Sequence, residues 1–234
     1  MDQKSFDMGL SRESSATERG FFPQVFFWMA MGLSLTGIVA LWMSTNPSFI
    51  VALSRNMGLF LILALAQFGL VFWLSSQILR LSITTATTGF SIYATLNGVL
   101  FSSIFLIYTG ASIASTFLVT AGMFGAVSLY GFTTKKDLAS VGSFAFMALI
   151  GIILASIVNW FLKSEVFYWI LTYIGIAVFV ALTAYDVQKL KSIQTQGFQS
   201  EELMKKAALL GALALYLDFI NLFLLLVRIM GRRK

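Results

Sequence analysis

The sequence contains neither cysteine nor histidine. Without cysteine the chain has no disulfide, no thiolate nucleophile and no zinc–thiolate site, so redox chemistry gives no indication of its compartment. Without histidine it lacks the side chain that most often shuttles protons and binds metals in proteins. Any response to pH near neutrality must therefore come from carboxylates.

Charged side chains are scarce. They make up 11% of the 234 residues, whereas 58% are hydrophobic, and the mean hydropathy is +0.86. A soluble domain is closer to half apolar and about one quarter charged. The composition therefore predicts an integral membrane protein. The net charge of +6 does not indicate nucleic-acid binding, because lysines and arginines in membrane-protein loops are mostly topology signals.

Seven stretches are apolar over the roughly 20 residues that a helix needs to cross a bilayer. Their continuous apolar runs lack the alternation of a β-barrel, so the sequence predicts an all-α integral membrane protein with seven transmembrane helices. The connections between the stretches are short, except for the one at residues 188–206. The predicted stretches are residues 25–45, 57–79, 84–107, 111–133, 141–162, 166–188 and 207–229.

We interpret residues 25–231 as a single seven-helix transmembrane domain. Residues 1–24 form a polar segment without the basic, apolar and cleavage regions of a signal peptide, and we expect a flexible tail there. Residues 232–234 form a short basic tail. The first apolar helix would then act as an uncleaved signal.

The distribution of lysine and arginine favours a cytoplasmic N-terminus. With that orientation ten of the sixteen basic residues lie inside and six lie outside. When both terminal tails are left out, seven basic residues lie inside and two lie outside. Cytoplasmic loops are enriched in these residues. The basic C-terminal tail argues the other way: seven spans leave it outside, whereas six spans with a re-entrant segment would leave it inside.

Only two of the ten acidic residues, Asp186 and Asp218, lie within predicted spans. An ionised aspartate in the middle of a membrane helix costs roughly 2.5–3.5 kcal/mol, so such a residue normally faces a partner or a water-filled cavity. Asn221 lies one helical turn beyond Asp218 on the same face. Tyr185 precedes Asp186 and could hydrogen-bond to the pair or anchor at the membrane interface.

Two carboxyl groups that meet cannot readily both ionise, so the pair would share a proton and titrate as a unit. Carboxylates are also the hard oxygen ligands that calcium prefers. Asp186 and Asp218 are therefore candidates for a proton sensor and for a calcium site, at which protons and calcium would compete. Simpler interpretations stay open: Asp186 as an interfacial residue beside Lys189, and Asp218 as a hydrogen-bonded structural acid.

Three segments carry a resemblance to a known family: AYDVQKLK (184–191), LYLDFINLFLLLVRIMG (215–231) and IYTGASIASTFLVTAGMFGAVSLYGFTTKKDL (107–138). The first two resemble the signature of the Bax-inhibitor, or transmembrane Bax inhibitor motif, family. The third resembles its bacterial inner-membrane branch. The resemblance spans roughly residues 25–231.

The resemblance implies seven helices, arranged as two three-helix layers around a central C-terminal helix. It also implies a pH-dependent calcium leak in which Asp186 and Asp218 are the pH-sensing pair. Some members carry an arginine on the second helix that pairs with the sixth-helix aspartate. This chain has Ser75 in that region, and Arg80 is a candidate substitute.

We therefore expect a pH-sensitive cation (calcium) leak channel of the inner membrane, with the lipid bilayer and calcium as its partners and no resident cofactor. The alternative is a non-transporting regulator that binds other membrane proteins, such as a membrane protease. Intramembrane aspartyl proteases also use two aspartates, one of them in a Tyr-Asp pair. Their second aspartate follows a Gly-x-Gly sequence, whereas Asp218 follows Leu-Tyr-Leu, so we do not expect an enzyme.

Overall fold

The computed structural model describes the backbone of residues 3–234. It describes the side chains of residues 20–234, except those at 47, 50, 53, 54 and 60. The flexible tail expected over residues 1–24 falls mainly on residues 1–19, which lie outside the described side chains, and it stays a prediction.

Within the described backbone the chain forms nine helices and one isolated β-bridge. The helices are α1 (Gln3–Ser44), α2 (Pro47–Arg55), α3 (Met57–Gln77), α4 (Ile83–Phe101), α5 (Ile104–Ile107), α6 (Gly110–Thr133), α7 (Ala139–Leu162), α8 (Glu165–Gln196) and α9 (Glu201–Met230).

Seven segments of this backbone are long and apolar enough to cross a membrane, and each coincides with one of the predicted stretches. The expected fold class, an all-α integral membrane protein, is confirmed. The two-layer arrangement implied by the resemblance stays a prediction. The seven segments are Gly20–Ser44, Met57–Gln77, Ile83–Ile107, Gly110–Thr133, Ala139–Leu162, Glu165–Gln196 and Glu201–Met230.

The last two helices are longer than their apolar stretches. α8 continues into the connection expected at residues 188–206 and α9 begins within it, so only residues 197–200 separate them. Gly197 ends α8 with a φ of 76°, a left-handed conformation that glycine adopts without steric cost. Ser200 caps α9 by accepting a hydrogen bond from a backbone amide of its first turn at 3.1 Å. Hydropathy does not detect these extensions, because their polar residues support a helix as well as apolar ones do.

The described chain divides into two compact units. Unit 1 comprises the chain through Ile107 together with Ser192–Tyr216, and unit 2 comprises Tyr108–Lys191 together with Leu217–Lys234. α9 therefore contributes its first half to unit 1 and its second half to unit 2. Buried residues make up 67% of its most apolar 18-residue window, against 6% for α3. The exposed apolar surface of α3 is the surface that a lipid-facing helix presents.

In unit 1 a buried polar contact joins α9 to α1 and α4. The hydroxyl oxygens of Tyr216 and Thr36 lie 2.7 Å apart, and Thr36 donates to the carbonyl of Ala94 at 2.9 Å. Because the Thr36 hydroxyl has a single proton, Tyr216 is the donor of the first bond. Gly32 provides the room, since a Cβ there would overlap the ring of Phe90.

Unit 2 contains α6, α7, most of α8 and the second half of α9. Small residues let these helices approach closely, as is usual in lipid. Gly131 of α6 lies against the backbone of Ala184, and Gly142 of α7 lies against the ring of Tyr185. α6 and α7 therefore both meet α8 immediately before Asp186. The buried apolar core of the unit includes Ala145, Val178, Phe179, Leu182, Leu222 and Leu226.

Candidate functional site

The two predicted aspartates lie on neighbouring helices of unit 2. Asp218 of α9 is 5% exposed and is the one acidic or basic side chain that is buried among those the structure describes. The Thr183 side chain of α8 hydrogen-bonds to it, and the charge of Asp186 acts on it. Asp186 lies one turn beyond Thr183 on α8 and is partly exposed. The structure thus brings both carboxyl groups within electrostatic reach of each other.

The hydroxyl group of Thr183, beside Asp218, already has an acceptor for its proton. Thr183 has one proton to donate, and it donates that proton to the carbonyl of Phe179 at 2.7 Å. Thr183 can then accept a hydrogen bond from Asp218 only when the acid carries a proton. An ionised carboxylate is purely an acceptor, and it would require Thr183 to release the Phe179 carbonyl.

The second oxygen of this carboxyl group has no partner. Oδ2 of Asp218 is buried without a hydrogen bond. A buried polar atom left unpaired costs about 1–3 kcal/mol, and such an atom in a native structure calls for an explanation, such as strain, a functional role or a bound water or ion. A proton, a water molecule or a cation would each pair with this oxygen.

Asp186 has different surroundings. Lys189 lies one turn on along α8, close enough for its charge to act on Asp186, and its Nζ lies 5.9 Å from the centroid of the Tyr185 ring. The ring of Tyr185 also packs on Gly142 of α7. The pair therefore consists of one buried acid beside a hydroxyl and one partly exposed acid beside a lysine.

The same turn of α8 holds the connection between α6 and α7. The side chain of Gln188 accepts a hydrogen bond from the amide of Leu138 and donates one to the carbonyl of Lys136, both at 2.8 Å. Lys191 donates to the carbonyl of Phe132 at 2.8 Å. Gln188 lies in the AYDVQKLK segment, but the sequence did not indicate its role, because its partners are backbone groups about 50 residues away.

Two other predicted supporting residues have contacts or positions of their own. Asn221 is partly buried and donates to the carbonyl of Leu217 in its own helix at 2.8 Å. Arg80 belongs to unit 1 and is exposed in the turn that follows α3, so its pairing with Asp186 stays a prediction.

Two aspartates alone are an incomplete set of ligands for calcium. Calcium takes six to eight oxygen ligands. In the part of the chain that the structure describes, no cluster of three histidine, cysteine or acidic side chains occurs. The pair of aspartates alone would therefore leave most ligand positions to water or backbone carbonyls.

Comparison with known proteins agrees with the resemblance seen in the sequence. The family described as "Inhibitor of apoptosis-promoting Bax1" matches residues 18–234. Inner membrane protein YbhL of Escherichia coli is 54% identical over 216 residues, covering 92% of each chain. Uncharacterized protein RP147 of Rickettsia prowazekii is 41% identical, covering 99% of this chain and 94% of its own. An uncharacterized protein of Borreliella burgdorferi is 39% identical, covering 97% and 98%. The chain therefore belongs to the Bax inhibitor family of membrane proteins.

Proposed function

We propose that this protein is a pH-sensitive cation leak channel, with calcium as its ion and a proton shared by Asp186 and Asp218 as its gate. The observation that carries the proposal is the buried, unpaired Oδ2 of Asp218 within reach of a second carboxyl group. The relative from Escherichia coli is named an inner membrane protein, and we assign the same membrane to this chain.

The gate follows from the cost of burying charge. An ionised aspartate within a membrane helix costs roughly 2.5–3.5 kcal/mol, and a second negative charge nearby adds repulsion. With one proton on the pair, Asp218 donates to Thr183 and the helices stay packed. Loss or gain of that proton changes the hydrogen-bond donor at Thr183 and the repulsion between α8 and α9. Protonation of the pair would in this way alter the packing of the two helices.

The pair would also bind a passing cation without retaining it. Conduction needs a site favourable enough for the ion to enter and weak enough for it to leave. Two carboxylates without a third acidic neighbour meet that condition for calcium better than a complete cage would. We infer no catalytic role for the pair, because the Leu-Tyr-Leu sequence before Asp218 provides no glycine that would open the backbone around the acid.

The experiment that tests the proposal is calcium flux into liposomes containing the purified protein, measured at about pH 6, 7 and 8 against empty liposomes, since coupled acids that sense pH must titrate in this range. We expect flux above the empty liposomes at one end of the range at least, and a rate that changes with pH. Flux indistinguishable from that of empty liposomes at every pH would contradict the channel. The partner-binding regulator would then be the better account.

A further inference from the structure

The buried face of α6 is built from hydroxyl groups, whereas its lipid-facing side is apolar. Six residues of this helix are buried, and four of them carry a hydroxyl group: Ser112, Thr116, Thr120 and Ser128. We call these four residues the hydroxyl face. On the opposite side, Leu118 and Leu129 are 71% and 64% exposed.

The hydroxyl face is long enough to extend across most of the membrane. Its residues recur at intervals of four, or eight across Phe124. Neighbouring members lie on one side of the helix, and the set winds around the helix by about 40° at each step of four residues. From Ser112 to Ser128 the helix rises by about 24 Å at roughly 1.5 Å per residue. The hydrocarbon core of a bilayer is about 30 Å thick.

Two of the four hydroxyls are buried and have no hydrogen-bond partner. They are Oγ1 of Thr116, which is 0% exposed, and Oγ of Ser128, which is 6% exposed. A buried serine or threonine in a membrane helix normally donates to a carbonyl of its own helix, and Thr120 does so with the carbonyl of Thr116 at 2.8 Å. A hydroxyl group that does not make this bond can donate its proton to a water molecule instead.

Beyond the hydroxyl face, α6 contacts α8 close to the aspartates. Gly131, three residues beyond Ser128, lies against the backbone of Ala184. Ala184 follows Thr183, the residue that hydrogen-bonds to Asp218. The unpaired atoms Thr116 Oγ1, Ser128 Oγ and Asp218 Oδ2 all belong to unit 2.

An aromatic contact interrupts the hydroxyl face. Phe124 lies between Thr120 and Ser128 on the same side of α6, and its ring meets that of Phe219 edge to face with centroids 5.5 Å apart. Phe219 directly follows Asp218 in the chain. Two rings without a polar group exclude water at this level.

We propose that the hydroxyl face of α6 binds water and lines the route by which a hydrated cation travels to Asp218, with Phe124 and Phe219 closing it. The proposal deepens the proposed function and rests on it for the identity of the ion. In an open route each unpaired hydroxyl would hydrogen-bond to a water molecule, which needs polar partners of this kind.

The absence of cysteine makes the test direct, because single cysteines need no background removal. Ser128→Cys and Thr116→Cys would each be placed in liposomes containing the full chain and treated with a small, positively charged thiosulfonate. Leu129→Cys and Leu118→Cys are the matched controls, adjacent or nearly so in the sequence but facing lipid. Thiosulfonates react with the thiolate, which forms in water and not in lipid, and mass spectrometry gives the labelled fraction over time.

We expect both hydroxyl-face cysteines to be labelled at least ~10-fold faster than their lipid-facing controls, because only a water-exposed thiol ionises appreciably. Labelling of Ser128→Cys and Thr116→Cys as slow as that of the controls would overturn the proposal and show that the hydroxyls serve helix packing only. If one variant does not fold, the other pair still gives the comparison.

The labelling result is separate from the flux result. Fast labelling in a protein that carries no calcium would support the water route while contradicting the channel. Slow labelling in a protein that does carry calcium would contradict the water route alone.

Discussion

At the scale of single residues, the proposed shared-proton gate depends on which atom holds the proton between Asp218 and Thr183. Thr183 donates its proton to the Phe179 carbonyl at 2.7 Å, so Asp218 can hydrogen-bond to the Thr183 oxygen in this arrangement only by donating a proton of its own. An asparagine at position 218 would donate through its amide in the same way. Asp218→Asn should therefore keep the fold while removing the titration.

A substitution at Thr183 tests this bond. Thr183→Val keeps the shape of the side chain but leaves Asp218 without its partner, and we expect a loss of about 1–3 kcal/mol in unfolding free energy. Thr183→Ser retains the hydroxyl and should lose much less. The two variants would be compared by unfolding in detergent. Equal stability of Val and Ser at this position would show that the hydroxyl does not support Asp218.

At the scale of helices, unit 2 depends on close approaches at glycine. A Cβ on Gly131 would overlap the backbone of Ala184, whereas a Cβ on Gly125 in the same helix would meet nothing within 4 Å. We expect Gly131→Ala to destabilise the protein by about 1–3 kcal/mol through overpacking. Gly125→Ala should be neutral or stabilising by up to about 1 kcal/mol, because alanine is the better helix former. Thermal unfolding in detergent gives both values, and equal effects would contradict the packing of α6 on α8.

The connection between α6 and α7 depends on one side chain of α8. Gln188→Leu removes both hydrogen bonds, to the Leu138 amide and the Lys136 carbonyl. We expect the Leu138 amide to exchange with solvent deuterium faster, because exchange of a surface amide requires the loss of its hydrogen bond. Gln196→Leu is the control, since the Gln196 side chain donates within its own helix, to the hydroxyl of Ser192 at 3.4 Å. Unchanged exchange at Leu138 would show that the hydrogen bonds of Gln188 do not hold the connection between α6 and α7.

At the scale of the whole molecule, the membrane topology follows from seven apolar helices and the bias of basic residues. Lys135 and Lys163 lie beyond opposite ends of α7, and from the positive-inside rule we expect Lys135 to lie in the cytoplasm. A thiol reagent that does not cross membranes should label Lys163→Cys in intact cells, and should label Lys135→Cys only after lysis. The reverse labelling pattern would show that the chain has the opposite orientation in the membrane.

The sequence predicted the seven helices and the two aspartates, because both signals are local. A 20-residue apolar run needs a bilayer, and an acid within it is costly whatever its neighbours are. The contacts of Asp218 with Thr183 and of Gln188 with the α6–α7 connection could not be predicted, because they depend on which faces of distant helices meet. The helical residues 189–196 were missed for a different reason: polar residues extend a helix without any signal in hydropathy.

The most direct test of the central claim is the pH profile of calcium flux in liposomes for the wild type, Asp186→Asn, Asp218→Asn and the double variant. Asp137→Asn is the matched control, because Asp137 accepts a hydrogen bond from the Ala139 amide at 2.9 Å and an asparagine oxygen can accept it equally well. We predict that flux changes between about pH 6 and about pH 8 in the wild type and in the control, and that this change is absent in the double variant. A double variant whose flux keeps the wild-type pH dependence would contradict the shared-proton gate.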